Sequence, residues 1–80
     1  MKNYTFEIVE LDTVATGLRI KQFMATRNVS AREVSNKMKV SPQAVYRWQN
    51  GEAMPTVNNI YILGQLLHTG VDDLLVAKQK

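Results

Sequence analysis

The sequence contains no cysteine among its 80 residues, which excludes disulfide bonds and thiolate metal sites. Its single histidine, His68, is too little for a histidine-rich metal site or a catalytic histidine network. No apolar run approaches the roughly 18 residues of a membrane-spanning helix, and no signal-peptide pattern begins the chain. We therefore expect one small, soluble, cytoplasmic protein that is not an enzyme and that uses no metal or cofactor.

Acidic residues are scarce in the middle of the chain. Residues 14–47 contain seven lysines and arginines against Glu33 alone, a net charge of +6, whereas the whole chain carries +3. A basic block of this kind favours a polyanionic partner such as nucleic acid. Because many solvated helices are also rich in lysine, the charge alone leaves both interpretations open.

The first residues have a different pattern from the rest. Tyr4, Phe6 and Ile8 alternate with polar residues, which is typical of an extended or β segment. Since an isolated strand is not stable, we expect the arm, residues 1–12, to lie on the domain or to pair with a second copy. Residues 77–80 are expected to form a frayed tail.

Residues 13–76 are expected to form an all-α domain. Capping signals divide this region, and the clearest is the capping box of Ser30 and Glu33. Gly17 lies inside the first helical pattern, where it would allow a neighbouring helix to approach closely. We expect helices over residues 14–27, 31–39, 42–50, 57–68 and 71–76.

The third helical segment is short and marked at both ends. Ser41 suits the N-cap, Pro42 the first helical position, and Gly51 the left-handed position after the end. Val45 and Trp48 share one side, which predicts that this side is buried. A tryptophan can also stack on single-stranded bases, but this spacing favours a core role. The other side carries long polar side chains suited to base-pair edges: Gln43, Tyr46, Arg47 and Asn50.

Residues along three quarters of the chain follow one known pattern without an insertion. They are Gly17, Arg19, Ile20, Ser30, Val34, Ser35, Val40, Ser41, Val45, Trp48, Gly51, Pro55, Ile60, Leu63, Leu67, Asp72, Leu74 and Leu75. Together they resemble the helix-turn-helix domain of phage Cro and repressor proteins and of their bacterial relatives. The resemblance implies a five-helix bundle whose third helix enters the major groove of double-stranded DNA.

The resemblance also assigns roles to side chains, position by position. It implies base contacts by Gln43, Ala44 and Arg47, which suit an adenine edge, a thymine methyl group and a guanine respectively. Ser30 lies at a helix N-terminus, where a phosphate can bind. Glu52 lies in a loop where relatives often carry Lys or Arg, so we expect this loop to add little affinity. The candidate phosphate contacts are Ser30, Arg32, Tyr46, Asn50, Asn58 and Asn59.

One departure from the family pattern involves two positions together. Many relatives bury an arginine against a glutamate where this chain has Met24 and Gln49. Losing one member of a buried ion pair costs about 3–5 kcal/mol, whereas replacing the pair can be neutral. The joint change is therefore compatible with a folded domain.

Two functions remain open at this point. The first is a sequence-specific DNA-binding transcriptional regulator, acting as a repressor, of phage, mobile-element or chromosomal origin. The alternative is an antitoxin or another protein-interaction module with the same fold. Ile62 and Leu66 form a second apolar ridge on the fourth helix. This ridge and the N-terminal arm are expected to meet within one chain or across a homodimer, or to contact a protein partner such as a toxin.

Overall fold

The computed structural model describes residues 9–79, which form five helices. The expected all-α architecture is confirmed, whereas the alternating residues Tyr4, Phe6 and Ile8 lie outside the described part. Among residues 9–79, no helix combines the length and the apolar character required to cross a membrane. The helices are α1 (Thr13–Arg27), α2 (Ala31–Met38), α3 (Pro42–Gln49), α4 (Val57–Leu66) and α5 (Val71–Leu74).

Side-chain caps begin the first four helices, including the two that the sequence predicts at Ser30 and Ser41. In the capping box of α2, the Ser30 hydroxyl accepts the Glu33 N–H and the Glu33 carboxylate accepts the Ser30 N–H, each at 3.1 Å. These bonds satisfy N–H groups that the first turn of a helix leaves unpaired. The capping residues are Asp12, Ser30, Ser41 and Thr56.

The core lies between all five helices. The buried positions confirm the inner side expected for α3, including Trp48 as a core residue. By contrast, Val14 and Leu18 of α1 are 65% and 52% exposed although they follow helical spacing. Ile62 and Leu66 are half-buried. The buried apolar residues are Ile20, Met24, Val34, Val45, Trp48, Ile60, Leu63, Leu67 and Leu74.

Helix α1 packs closely against the end of α3. A Cβ atom on Gly17 would overlap the carbonyl oxygen of Trp48, so this position requires glycine. The close approach expected at Gly17 is therefore confirmed. On the same side, Gly51 has a left-handed φ of 72° and lies against the backbone of Val14. Two glycines thus set the distance between α1 and the end of α3.

The side chains of Met24 and Gln49 also meet between α1 and α3. The Gln49 amide donates a hydrogen bond of 3.3 Å to the Met24 sulfur. The two positions that depart together from the family pattern are therefore in direct contact. A neutral pair replaces a charged one here without leaving a buried charge unpaired.

The two ends of the described chain pair with each other. The Asp12 N–H donates to the Val76 carbonyl at 2.7 Å, and the Lys78 N–H donates to the Glu10 carbonyl at 2.8 Å. An antiparallel bridge joins the intervening Leu11 and Ala77.

This pairing corrects the end expected for the last helix. That helix ends at Leu74, not at Val76, and beyond it the Lys78 N–H donates to the Glu10 carbonyl within the tail expected to fray. The physical reason is that Leu75 turns to an extended conformation, so the following backbone groups can pair with the arm.

Candidate nucleic-acid interface

The turn between α2 and α3 is held by one side chain. The Ser35 hydroxyl donates to the Val40 carbonyl at 2.7 Å, and the Val40 N–H donates to the Ser35 carbonyl at 3.2 Å. Lys39 between them has a left-handed φ of 58°. This tight reversal fixes the direction in which α3 leaves α2, and the two helices pack directly on each other.

Helix α3 presents one buried and one exposed side. Val45 and Trp48 are buried, whereas Gln43 and Arg47 are exposed and lie four residues apart on one ridge. Ala44 is half-buried and packs partly on the core. The exposed side of α3 therefore carries an amide and a guanidinium. These groups supply the donors and acceptors needed for the major-groove edges of base pairs.

Tyr46 and Asn50 extend this exposed side. Tyr46 is 54% exposed, and Asn50 is the exposed C-cap residue of α3. On α4, Asn58 is exposed in the first turn, while Asn59 is half-buried and its backbone N–H donates to the Thr56 hydroxyl at 3.1 Å. The amide side chains therefore lie at the end of α3 and at the start of α4.

The N-terminus of α2 is less open than the sequence suggests. Both the N–H and the hydroxyl of Ser30 take part in the capping box, and the Glu33 carboxylate lies at the same helix end. Helix geometry leaves the N–H groups of Ala31 and Arg32 pointing outward there. Arg32 is exposed and supplies a positive charge beside them.

Two arginines of the basic block bind backbone carbonyls. Arg27 Nε donates to the Leu67 carbonyl at 2.9 Å, and its guanidinium lies 5.7 Å from the centre of the Phe23 ring. Arg19 Nη1 donates to the Asp73 carbonyl at 2.7 Å. These carbonyls belong to the ends of α4 and α5, where a positive charge is favourable. The exposed cations of the block are Lys21, Arg27, Arg32, Lys37, Lys39 and Arg47.

A contact that sequence reasoning missed lies beside Arg47. The Glu52 carboxylate oxygen Oε1 is 3.9 Å from Arg47 Nε, and the two side chains are 59% and 61% exposed respectively. Because Gly51 reverses the chain, Glu52 returns to the exposed ridge of α3. The glycine after the helix was the available signal, but the position of the next side chain depends on how the turn closes.

Comparisons with known proteins agree with this geometry. A helix-turn-helix family model matches residues 20–74. The restriction-modification controller protein C.AhdI from Aeromonas hydrophila has a TM-score of 0.73 and 19% identity, covering 79% of this chain and 96% of that one. The clp gene regulator ClgR from Corynebacterium glutamicum has a TM-score of 0.73 and 22% identity, covering 78% and 66% respectively.

The DNA-binding domain of BldD is also similar, with a TM-score of 0.68 and 18% identity, covering 80% of this chain and 93% of that one. No curated protein sequence matches the chain. At these identities the solved structures establish a shared fold, and the family model identifies which fold it is.

Proposed function

This chain belongs to the Cro/repressor-type helix-turn-helix family, and we propose that it represses transcription by binding a specific sequence of double-stranded DNA. Members of this family are DNA-binding regulators rather than enzymes. The single observation that carries the proposal is the two-sided α3, with Val45 and Trp48 buried and the Gln43–Arg47 ridge exposed. Occupation of a promoter by such a domain is sufficient for repression because it excludes other proteins from the same DNA.

In the proposed complex, α3 lies in the major groove and α2 crosses the backbone. Arg47 binds the O6 and N7 atoms of a guanine, Gln43 binds an adenine edge, and the half-buried Ala44 contacts a thymine methyl group. Phosphates are contacted from both sides of α3. The proposed phosphate contacts are Ser30 through its helix end, Arg32, Tyr46, Asn50, Asn58 and Asn59.

We further propose that two copies bind together, with residues 13–76 as the DNA-binding unit and the arm as the dimerisation segment. Val9, Leu11, Val14 and Leu18 form an apolar stripe along the arm and α1, and all four are exposed. In the sequence, the alternating residues Tyr4, Phe6 and Ile8 directly precede Val9. Binding of two half-sites by such a dimer requires its two α3 helices to lie about 34–36 Å apart, one turn of DNA.

Selection of bound duplexes from a random DNA pool tests the DNA-binding proposal. The expected result is a near-palindromic consensus that contains a guanine in each half-site. Failure of the full chain to enrich any sequence would contradict sequence-specific binding.

Sedimentation of the full chain and of the double variant Val14→Ser/Leu18→Ser tests the dimer. The expected result is a dimer for the full chain and a monomer for the variant. A monomer in both cases, together with a toxin that co-purifies with the wild type and not with the variant, would favour the antitoxin alternative.

A further inference from the structure

The loop after α3 folds back onto the carbonyl group of Arg47. The N–H groups of Glu52 and Ala53 both donate to this oxygen, at 2.9 and 3.3 Å. The left-handed φ of 72° at Gly51 makes this reversal available without strain. The backbone of Glu52 is therefore held beside Arg47, and its carboxylate lies 3.9 Å from Arg47 Nε.

We propose that Glu52 is a specificity-determining residue, which positions the Arg47 guanidinium for base readout. This inference rests on the proposed function and adds to it a residue that does not itself contact the base. A guanidinium has five N–H donors in a planar fork. With Glu52 Oε1 beside Nε, the two Nη groups are left as the pair that can bind the O6 and N7 atoms of one guanine.

Holding the side chain in advance lowers the cost of binding. A free arginine loses much rotamer freedom when it is ordered on a base. A carboxylate beside Nε restricts that freedom before DNA arrives. Because both side chains of the pair are more than half exposed, the pair itself adds little to folding stability. Its effect should therefore appear in DNA discrimination and not in the unfolding free energy.

The negative charge of Glu52 also acts on every duplex alike. Backbone phosphates attract the exposed cations of this surface without regard to sequence. A carboxylate next to Arg47 opposes part of that attraction for every duplex. Because this opposition is the same for every duplex, it lowers affinity without changing discrimination, which comes from the positioning of Arg47.

The test compares Glu52→Gln with Asp72→Asn, a matched control. Asp72 is an exposed carboxylate on α5, which packs on α1 and α4, so the control makes the same change in net charge away from Arg47. Binding is measured on the selected operator, on the operator with the guanine replaced, and on an unrelated duplex. We expect Glu52→Gln to lower discrimination between the first two by roughly threefold or more, and Asp72→Asn to leave this ratio unchanged.

Equal discrimination ratios for the two variants would overturn the inference, since Glu52 would then act only as bulk charge. If the wild type selects no duplex at all, the proposed function itself fails and the readout role of Glu52 fails with it. If the wild type selects a preferred duplex and Glu52→Gln discriminates as well as the wild type does, the inference about Glu52 fails and the proposed function stands.

A second measurement examines the pair without DNA. The Arg47 Nε–H resonance should shift in Glu52→Gln and stay in place in Asp72→Asn. An Arg47 resonance that is identical in all three proteins would show that Glu52 does not position the guanidinium, and would also overturn the inference.

Discussion

Gly17 of α1 lies directly under the carbonyl oxygen of Trp48, with no space between them for a Cβ atom. A Cβ atom added to Gly17 would also lie 3.0 Å from the Gln49 carbonyl oxygen and 3.0 Å from the Gly51 nitrogen. All three atoms belong to the backbone at the end of α3, so none can move aside as a side-chain tip could. How closely α3 packs on α1 depends on this contact. The distance by which the exposed side chains of α3 project from the bundle therefore depends on it too.

Gly17→Ala is therefore expected to destabilise the fold by about 3 kcal/mol or more, at or above the upper end of ordinary overpacking. Chemical denaturation followed by circular dichroism gives the unfolding free energy. Gly70→Ala is the matched control, because the nearest atom to its new methyl group is the movable Asp72 carboxylate. This control should cost less than about 1 kcal/mol. Similar losses for both variants would show that the approach of α1 to α3 is not tight.

Lys39 lies in the tight turn between α2 and α3 with a left-handed backbone. A residue with a side chain is strained in this conformation by about 1–2 kcal/mol, and glycine would remove that strain. Glycine also loses more conformational entropy on folding, which offsets part of the stabilisation. Lys39→Gly should therefore stabilise the protein by about 0.5–1 kcal/mol.

The control for this prediction is Lys37→Gly, which removes the same charge from an exposed position inside α2. It should destabilise the protein by about 1 kcal/mol, because glycine is a poor helix residue. Thermal or chemical unfolding of both variants shows whether each substitution raises or lowers the free energy of unfolding. Two changes of the same sign would contradict a conformational role for Lys39.

The contact between Gln49 and Met24 predicts a strongly coupled double-mutant cycle. Met24→Arg alone would bury an unpaired charge, at a cost of about 3–5 kcal/mol. Adding Gln49→Glu should recover most of that loss by supplying a partner in contact. The free energies of unfolding of the wild type, both single variants and the double variant complete the cycle. Additive effects would mean that the two positions do not interact.

Local features of this fold could be predicted from the sequence because local chemistry determines them. Ser30 with Glu33, and Ser41 before Pro42, mark helix starts through bonds that span three residues. The core side of α3 follows from the spacing of Val45 and Trp48. These signals act over one or two turns, which is the range that a pattern of residue types describes.

Features that join distant parts of the chain could not be predicted in this way. Arg27 reaches the Leu67 carbonyl, 40 residues away, and Arg19 reaches Asp73, 54 residues away. In the sequence both arginines are charges of the basic block and Arg19 also matches the family pattern, but neither feature predicts these contacts. The pairing of Glu10 with Lys78 likewise depends on where the two ends of the chain meet. The Glu52 contact is short in sequence, but its direction depends on the geometry of the turn.

Arg47 and Arg32 are expected to differ in how their loss affects DNA binding. Arg47 lies on the exposed ridge of α3, whereas Arg32 lies at the N-terminal end of α2. Arg47→Ala should cost about 1–3 kcal/mol on the selected operator and relax the preference at one base pair. Arg32→Ala should weaken binding to all duplexes nearly equally.

The salt dependence of binding separates the two roles further. Each phosphate contact contributes a slope of about −0.9 to the plot of log affinity against log salt concentration. Arg32→Ala should reduce the magnitude of the slope by about one contact, while Arg47→Ala should change base preference with little change in slope. Titrations at several salt concentrations on cognate and substituted duplexes measure both quantities. If Arg47→Ala weakens every duplex equally and lowers the slope, Arg47 contacts phosphate, and readout of the base pair must come from the remaining side chains on its ridge.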